Sequence, residues 1–188
     1  MKQNRIILIL CVILVALLVV AGVLYSKLSE SFVPSTVTPP ETSGINENTD
    51  KAPDFVMKDG DGNDVLLSSL FGKPIILNFW ATWCPPCKAE LPDFERAFKE
   101  YGDKVQFIML NQTDGGRDTV DVVNKFIADN GYTFPVYFDT TLAATYAYQA
   151  FSIPTTVVID ADGKIVDTHI GMISGEKLVS LIEKVIEE

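Results

Sequence analysis

The chain is poor in the residues that build metal sites, disulfide scaffolds and basic binding surfaces. Its 188 residues include three cysteines and a single histidine. Three cysteines allow at most one intrachain disulfide, which excludes a disulfide-stapled scaffold. The 15 Lys and Arg residues are outnumbered by 25 Asp and Glu, which gives a formal charge of −10. Because such a surface repels phosphate backbones, we exclude nucleic acid as a partner.

One segment lacks charge altogether. Residues 6–25 are uncharged and mostly apolar, and a helix of that length spans about 30 Å, the thickness of a hydrocarbon core. Lys2 and Arg5 precede the segment, and positive residues stay on the cytoplasmic side of a membrane. We therefore predict a single-pass cell-membrane anchor in residues 1–25, with the rest of the chain on the extracytoplasmic side. Cleavage as a signal peptide near Ala21 is the alternative.

The composition changes after the apolar segment. Residues 26–52 are rich in Ser, Thr, Pro, Glu and Asn and contain few large apolar residues. Such a stretch buries too little surface to fold, so it is predicted to be a flexible linker. Residues 53–188 alternate between short apolar runs and helical periodicities, which predicts one α/β domain with a mixed sheet.

Local patterns predict the elements of this domain. Two short apolar stretches flank a turn rich in Gly and Asp at 58–64, which is typical of a β-hairpin. The apolar run at 74–80 indicates a central strand buried on both faces. The other predicted strands are 105–110, 136–138, 155–159 and 164–170, and the predicted helices are 84–101, 117–130, 142–150 and one capped by Ser174.

The string WCPPC at residues 83–87 carries the chemistry. Two intervening residues allow the sulfurs to form a disulfide when both cysteines lie in the first turn of a helix. A CxxC between a strand and a helix is the context of a thioredoxin-like redox site. Cys84, at the helix start, has its thiolate favoured by the positive end of the helix. Cys84 is the predicted nucleophile, and Cys87 the residue that resolves the mixed disulfide.

A zinc site is the rival interpretation of this motif. Zinc usually takes four ligands, whereas outside the apolar segment the chain offers only Cys84, Cys87 and His169. We therefore predict no metal and no cofactor beyond a redox-active Cys84–Cys87 disulfide. His169, in a predicted strand, is interpreted as structural.

The residues between the cysteines bear on the direction of the reaction. Pro85 and Pro86 carry no N–H, so two amides that could donate to the Cys84 thiolate are absent. A less stabilised thiolate makes the reduced protein a better reductant. The motif therefore favours disulfide reduction over disulfide donation.

The string FWATWCPPCKAELP at 79–92, followed by SIPTTVVID at 152–160, resembles the TlpA/ResA/CcmG branch of the thioredoxin superfamily. The resemblance covers residues 53–188 and implies a thioredoxin fold with an N-terminal hairpin. The helix at 117–130 matches the central insertion of that branch. Protein disulfides are the implied substrates, with electrons supplied by a membrane thiol carrier. One implied substrate is the CxxCH disulfide of apocytochrome c, during cytochrome c maturation.

The resemblance also implies a substrate-binding surface. Ile153 and Pro154 match the cis-proline site, where the backbone lies against the disulfide and receives substrate as an extra strand. An ordinary proline at a strand start is the alternative. Trp83 matches a residue that shields the disulfide in similar proteins, and we group it with Pro85 and Pro86 in the predicted substrate-binding set.

Glu90 is the third predicted catalytic residue. It lies three residues after Cys87 on the same helix face, and in similar proteins an acid here assists proton transfer at the buried cysteine. The buried aspartate of ordinary thioredoxin aligns with Asn78, which cannot ionise, so proton handling is predicted to move to Glu90. A surface Glu favoured by the helix dipole is the alternative.

Two other functions on the same fold stay open as alternatives. Thiol peroxidases resemble one another in a TxxC motif, whereas Thr82 stands only two residues before Cys84. A copper-binding redox chaperone would use the cysteines with His169, but comparable proteins have three residues between the cysteines. An insulin-reduction assay beside a copper titration distinguishes these functions from a disulfide reductase.

Overall fold

A computed structural model describes residues 51–187 of the chain, together with Leu18 and Val20. Apart from those two residues, the predicted anchor at 1–25 lies outside the described part, as does nearly all of the predicted linker at 26–52. Within the described part, no helix has both the length and the apolar character needed to cross a bilayer.

The described residues form a mixed sheet with helices packed against it. Its elements, in chain order, are β1 (Val56–Lys58), β2 (Asp64–Leu66), a 3-10 turn (Leu67–Leu70), β3 (Ile75–Trp80), α1 (Pro85–Tyr101), β4 (Gln106–Asn111), α2 (Val120–Asn130), β5 (Val136–Phe138), α3 (Ala143–Ala147), β6 (Thr155–Ile159), β7 (Ile165–Ile170) and α4 (Gly175–Glu187).

The strands lie in the order β2-β1-β5-β4-β3-β6-β7 across the sheet. Strands β3, β4 and β5 are parallel to one another, whereas β6 runs antiparallel to β3 and to β7. The predicted hairpin is present as β1 and β2, and β1 joins the sheet antiparallel to β5. This is the mixed α/β architecture that the sequence predicts.

The central strand β3 determines which side chains reach the site. All six of its residues are buried, as predicted for a strand covered on both faces. Because successive side chains point to opposite faces, Asn78 and Trp80 share one face and Leu77 and Phe79 the other. Trp80 packs in a core with residues of α1 and α4, whereas Leu77 and Phe79 pack with the hairpin and α3. Asn78 is therefore a polar residue that faces α1.

Helix α1 begins directly after Cys84, which is its N-cap. Pro85 and Pro86 occupy the first two helical positions, where a missing N–H leaves no helical hydrogen bond unmade. The helix continues through Pro92 to Tyr101. Its buried face carries Cys87, Glu90, Leu91, Phe94, Glu95 and Ala97.

Helix α2 begins later than predicted, at Val120 rather than at residue 117. The Asp114 Oδ1 atom accepts hydrogen bonds from the N–H groups of residues 116–118, which holds them in a turn. Thr119 then caps the helix by accepting the Val122 N–H at 3.3 Å.

Helix α3 is also shorter than the predicted 142–150, and spans Ala143–Ala147. Leu142 and Gln149 have positive φ angles of 57° and 51°. This left-handed conformation is incompatible with a continuing right-handed helix, so it ends the helix on both sides.

Residues 51 and 52, which we assigned to the linker, pack on the domain. Lys51 forms an antiparallel bridge with Lys164, and the Ala52 N–H donates to the Gly163 carbonyl oxygen at 2.9 Å. Ala52 is buried. The folded part therefore includes these two residues.

Candidate active site

Cys84 and Cys87 form a disulfide at the N-terminal end of α1, with their Cα atoms 5.3 Å apart. Cys84 is 2% exposed, whereas Cys87 is completely buried. Cys84 is therefore the cysteine of the pair that keeps any exposed surface. The roles of Cys84 as nucleophile and Cys87 as resolving residue stay predictions of the motif.

The segment around Pro154 lies against the disulfide. The Ile153–Pro154 peptide bond is cis, and the Ile153 carbonyl oxygen lies 3.7 Å from the Cys84 sulfur. Pro154 is buried, whereas Ile153 is partly exposed. The structure therefore brings Ile153 and Pro154 to the reactive sulfur, as the resemblance implies.

Among residues 51–187, one amide donates to the Cys84 sulfur. Pro85 and Pro86 are exposed and have no N–H to offer. The N–H of Cys87, the next residue along, donates to the Cys84 Sγ at 3.2 Å. The thiolate formed on reduction would therefore keep this single donor, in addition to the field of the helix end.

Glu90 lies on the buried face of α1, one turn after Cys87, and contacts β3 through Asn78. It is 1% exposed, so it is not the surface residue of our alternative interpretation. Its Oε1 accepts a hydrogen bond from Asn78 Nδ2, and its Oε2 accepts one from the Ile173 N–H, both at 2.9 Å.

Burial raises the pKa of Glu90 from 4.5 to about 7. The hydrogen bonds from Ile173 and Asn78 act in the opposite direction and lower this pKa, because both donors stabilise the charged form. A carboxyl group with a pKa near neutrality can both accept and release a proton at neutral pH.

Asn78 links Glu90 to the neighbouring strand. Its Nδ2 also donates to Thr156 Oγ1 at 3.1 Å, and Thr156 is its partner in the β3–β6 register. Among the described residues, its buried Oδ1 has no hydrogen-bond partner. The sequence identifies Asn78 only as a residue that cannot ionise and does not predict its contact with Glu90.

The turn before Cys84 is held by a loop that we did not include in the site. The Thr82 N–H donates to Asp118 Oδ2 at 2.8 Å, and the Thr82 hydroxyl donates to Asp118 Oδ1. The guanidinium carbon of Arg117 lies 3.5 Å from the centre of the Trp83 ring, a cation–π contact. Thr82 and Asp118 are 36 residues apart in the chain, so no local pattern could have joined them.

Exposed aromatic rings lie beside Trp83. A cavity of about 270 Å³ is lined by Trp83, Arg117, Tyr146 and Phe151, among others. Tyr146 and Phe151 are 66% and 64% exposed and meet edge to face, with ring centres 5.4 Å apart. Large exposed aromatic surfaces of this kind mark sites that bind other polypeptides.

His169 lies on β7, in register with Thr156 of β6. Its Nε2 is 3.3 Å from the Met172 carbonyl oxygen. Over residues 51–187, no cluster of three or more His, Cys, Asp or Glu side chains is placed to hold a metal ion. The contacts of His169 are with the backbone near its own strand.

The part of the chain that holds this site is similar to known proteins. The AhpC/TSA family matches residues 49–168. Over 127 residues the chain is 38% identical to the thiol-disulfide oxidoreductase ResA of Bacillus subtilis (strain 168), which covers 68% of this chain and 69% of ResA.

Two solved structures show the same architecture. StoA from Bacillus subtilis matches with a TM-score of 0.60 at 33% identity, covering 69% of this chain and 96% of that one. The exposed lipoprotein thioredoxin Etrx1 of Streptococcus pneumoniae strain TIGR4 matches with a TM-score of 0.62 at 30% identity, covering 70% and 99%. The predicted thioredoxin-like fold is confirmed by these likenesses.

Proposed function

The chain belongs to the AhpC/TSA family and is a thiol–disulfide oxidoreductase of the ResA and StoA type, and from that premise we propose that it reduces protein disulfides outside a cell membrane. The observation that carries this proposal is the position of the Cys84–Cys87 disulfide. The Cys84 sulfur lies 3.7 Å from the Ile153 carbonyl oxygen, and the buried Glu90, with a pKa of about 7, lies one turn after Cys87 on the same helix.

Reduction begins from the dithiol form. The Cys84 thiolate attacks one sulfur of a substrate disulfide, the substrate S–S bond breaks, and one substrate thiolate leaves. Substrate and protein are then joined through a mixed disulfide at Cys84. The Cys87 N–H, which contacts the Cys84 sulfur at 3.2 Å, stabilises the attacking thiolate.

Cys87 completes the exchange. Its thiol gives up a proton to the Glu90 carboxylate, and the new thiolate attacks the Cys84 sulfur. The bond between Cys84 and the substrate breaks, and the second substrate thiolate leaves. The substrate has then gained two electrons, and the protein holds the Cys84–Cys87 disulfide seen in the structure. Glu90 holds the proton that Cys87 released.

The residues between the cysteines support the reducing direction. Pro85 and Pro86 provide no amide donor, so the Cys84 thiolate is left with the Cys87 N–H alone from the first three positions of α1. Because the reduced form gains less from thiolate stabilisation, the couple is expected to be reducing.

Protein substrates have a surface to bind beside the disulfide. We assign substrate binding to Trp83, Pro85, Pro86, Ile153 and Pro154. The partly exposed backbone at Ile153 suits an added strand, and the aromatic rings of Tyr146 and Phe151 line the cavity beside Trp83. We propose the CxxCH disulfide of an apocytochrome c as one substrate, by analogy with the TlpA/ResA/CcmG branch.

The location and the electron source belong to the same proposal. The uncharged residues 6–25, preceded by Lys2 and Arg5, support a membrane anchor with the domain on the extracytoplasmic side. Each cycle leaves the protein oxidised, so a dithiol must reduce it again. We assign that step to a membrane thiol carrier, whose dithiol becomes a disulfide as Cys84 and Cys87 are reduced.

The reduction potential tests the direction. Equilibration of the full-length protein with glutathione or dithiothreitol buffers should give a value nearer about −270 mV, as in thioredoxin, than about −120 mV, as in DsbA. A value at the DsbA end would make the protein a disulfide donor instead.

Capture of mixed disulfides tests the substrate. Cys87→Ser should hold substrates covalently on Cys84, whereas Cys84→Ser, the matched control, should hold none. Captured proteins that include apocytochrome c would support that assignment, and their absence under cytochrome-producing conditions would contradict it.

A further inference from the structure

We infer that Asp118 is a positioning residue for Cys84: its buried carboxylate holds the turn that presents the sulfur, and its charge opposes ionisation of the thiol. The inference rests on the proposed dithiol chemistry at Cys84, since it concerns how readily that thiol becomes the attacking thiolate. Asp118 lies in the loop at 112–118, between β4 and α2.

Cys84 is the last residue of a tight turn. The Cys84 N–H donates to the Ala81 carbonyl oxygen at 3.2 Å, which closes a β-turn over residues 81–84. Thr82 and Trp83 are its two central residues. The position of the Cys84 sulfur therefore depends on the shape that these two residues hold.

Asp118 forms hydrogen bonds with Thr82, the first central residue of the turn. It is completely buried, and it accepts hydrogen bonds from both the N–H and the hydroxyl of Thr82. A third hydrogen bond comes from Asn111 Nδ2 at 2.8 Å. An ionised carboxylate only accepts hydrogen bonds, and so it matches three donors.

The preceding loop residue contacts the second central residue. Arg117 stacks on Trp83 at 3.5 Å, so consecutive loop residues hold both central residues of the turn. At the start of the loop, Gln112 donates its N–H to the Trp80 carbonyl oxygen at 2.9 Å and its Nε2 to the Ala150 carbonyl oxygen at 2.7 Å. The loop therefore connects the end of β3, the turn and the segment that leads to Pro154.

The Asp118 charge is held against the same turn that ends in Cys84. Thr82 is two residues before Cys84, so their Cα atoms are at most two spacings of about 3.8 Å apart. A negative charge held against this turn in a buried setting disfavours a second negative charge on the sulfur that the turn presents. The result is a Cys84 thiol that ionises less readily, which adds to the effect of the missing Pro86 amide.

Other ionisable groups lie on the elements next to Cys84 in the fold, and they stay unchanged when Asp118 is replaced. They are Cys87 and Glu90 on α1, Arg117 on the loop and His169 on β7. The Arg117 side chain is 63% exposed and lies 3.7 Å from Asp114, so water screens its opposing charge. Asp118 has no such screening, because it is completely buried.

The test is the Cys84 thiol pKa, measured on the reduced full-length protein from the ultraviolet absorbance of the thiolate. Asp118→Asn keeps the shape of the side chain and removes its charge. The ionisation constant of Cys84 should rise about tenfold. Asp139→Asn is the matched control, because Asp139 is also completely buried and accepts three hydrogen bonds, from the Ala144 N–H and from the N–H and hydroxyl of Thr145. It should leave Cys84 ionisation unchanged.

Thr82→Val separates the charge from the shape of the turn. It removes one donor and leaves the Asp118 charge less compensated, so Cys84 ionisation should fall. A purely structural role would move both variants in the same direction. A shift of the same sign in both, or no shift in Asp118→Asn, overturns the inference. If Asp118→Asn does not fold, Thr82→Val decides: decreased ionisation supports the inference, and unchanged or increased ionisation overturns it.

This measurement is independent of the proposed function. It uses no substrate and no electron donor, so a misassigned substrate or location leaves its outcome unaffected. Equally, if Cys84 ionisation is unchanged in Asp118→Asn, the inference fails but the proposed function does not. The reduction potential then still tests whether the protein is a disulfide reductase.

Discussion

The Asn78 side chain donates a hydrogen bond from Nδ2 to Oε1 of Glu90 at 2.9 Å, so an amide on the central strand holds the buried carboxyl of α1. The Ile173 N–H holds the other carboxyl oxygen. Both donors favour the ionised form, whereas burial favours the neutral acid. Because burial prevails and the pKa of Glu90 is about 7, this group changes its ionisation state close to neutral pH.

Glu90→Gln should slow disulfide exchange by about tenfold to a hundredfold, since the variant has no group to take the Cys87 proton. The loss should be greatest above pH 7, where the wild-type carboxyl is ionised. Insulin reduction measured over a range of pH gives both the rate and the profile.

Glu95→Gln is the matched control, because Glu95 is the other buried acid of α1. It is 8% exposed and accepts the N–H groups of Thr133 and Phe134. It should leave the pH profile of exchange unchanged. Circular dichroism checks that Glu90→Gln is folded. If the folded variant has the wild-type rate and pH profile, Glu90 has no role in proton transfer.

The stability of the oxidised protein should decline as the pH rises through neutrality. Folding raises the pKa of Glu90 from 4.5 to about 7, so the folded state binds this proton more tightly than the unfolded state does. The resulting stabilisation is complete below the unfolded pKa and is lost as the pH passes the folded pKa. It is on the order of 3 kcal/mol, at about 1.36 kcal/mol per pKa unit.

Urea unfolding at a series of pH values measures this decline. Glu90→Gln has no proton to lose at that position, so its stability should vary less between about pH 5 and pH 8. An equal decline in the two proteins would show that another group is responsible.

The part of the fold and site that the sequence predicts is the part that short-range sequence patterns define. The Cys84–Cys87 pair, its helix and the position of Glu90 one turn later follow from contiguous residues. The same is true of the β1–β2 hairpin, the fully buried β3 and the Ser174-capped α4. Each depends on a period or a spacing that a few neighbouring residues define.

The features of the site that the sequence does not predict depend on contacts between residues that are distant in the chain. Asp118 meets Thr82 across 36 residues, and Asn78 meets Glu90 and Thr156 across 12 and 78. Beside a helix start, Asp118 has the pattern of an ordinary first-turn acid. The early end of α3 likewise depends on Gln149 in a left-handed conformation, which a non-glycine residue rarely adopts.

Asn78→Asp should move the pH profile of exchange upward by about one unit. A second carboxyl beside Glu90 makes the two groups titrate as a pair, and the like charge opposes ionisation of Glu90. The profile of insulin reduction against pH measures the shift. Thr156→Val, the control, removes the other contact of the Asn78 amide without adding charge and should leave the profile in place. If wild type and Asn78→Asp have the same pH profile, the residue at position 78 does not influence the titration of Glu90.

The full-length protein should remain in the membrane fraction after carbonate washing, because residues 6–25 are long and apolar enough to span a bilayer. Deletion of residues 1–25 should release the domain into the soluble fraction. Recovery from wild-type cells of a soluble mature form that begins near Gly22 would instead identify a cleaved signal peptide.

Pro86→Ala should make the Cys84/Cys87 couple less reducing, whereas Pro85→Ala should change it little. A side chain at the N-cap accepts from the second or third helical N–H, and Pro86 and Cys87 occupy those positions behind Cys84. The Cys87 N–H already donates to the sulfur. Alanine at 86 restores the second donor, whereas alanine at 85 restores an N–H at the first position, which does not point at the cap.

The size of the effect follows from the charge on the acceptor. A hydrogen bond to a charged group contributes about 1.5–3 kcal/mol, and about 1.4 kcal/mol corresponds to 30 mV for a two-electron couple. At a pH above the Cys84 thiol pKa, where the thiolate predominates, Pro86→Ala should therefore raise the potential by about 30–60 mV. Equilibration with glutathione measures it. Equal shifts in Pro85→Ala and Pro86→Ala would mean that the loss of a rigid ring, not the return of a donor, sets the potential.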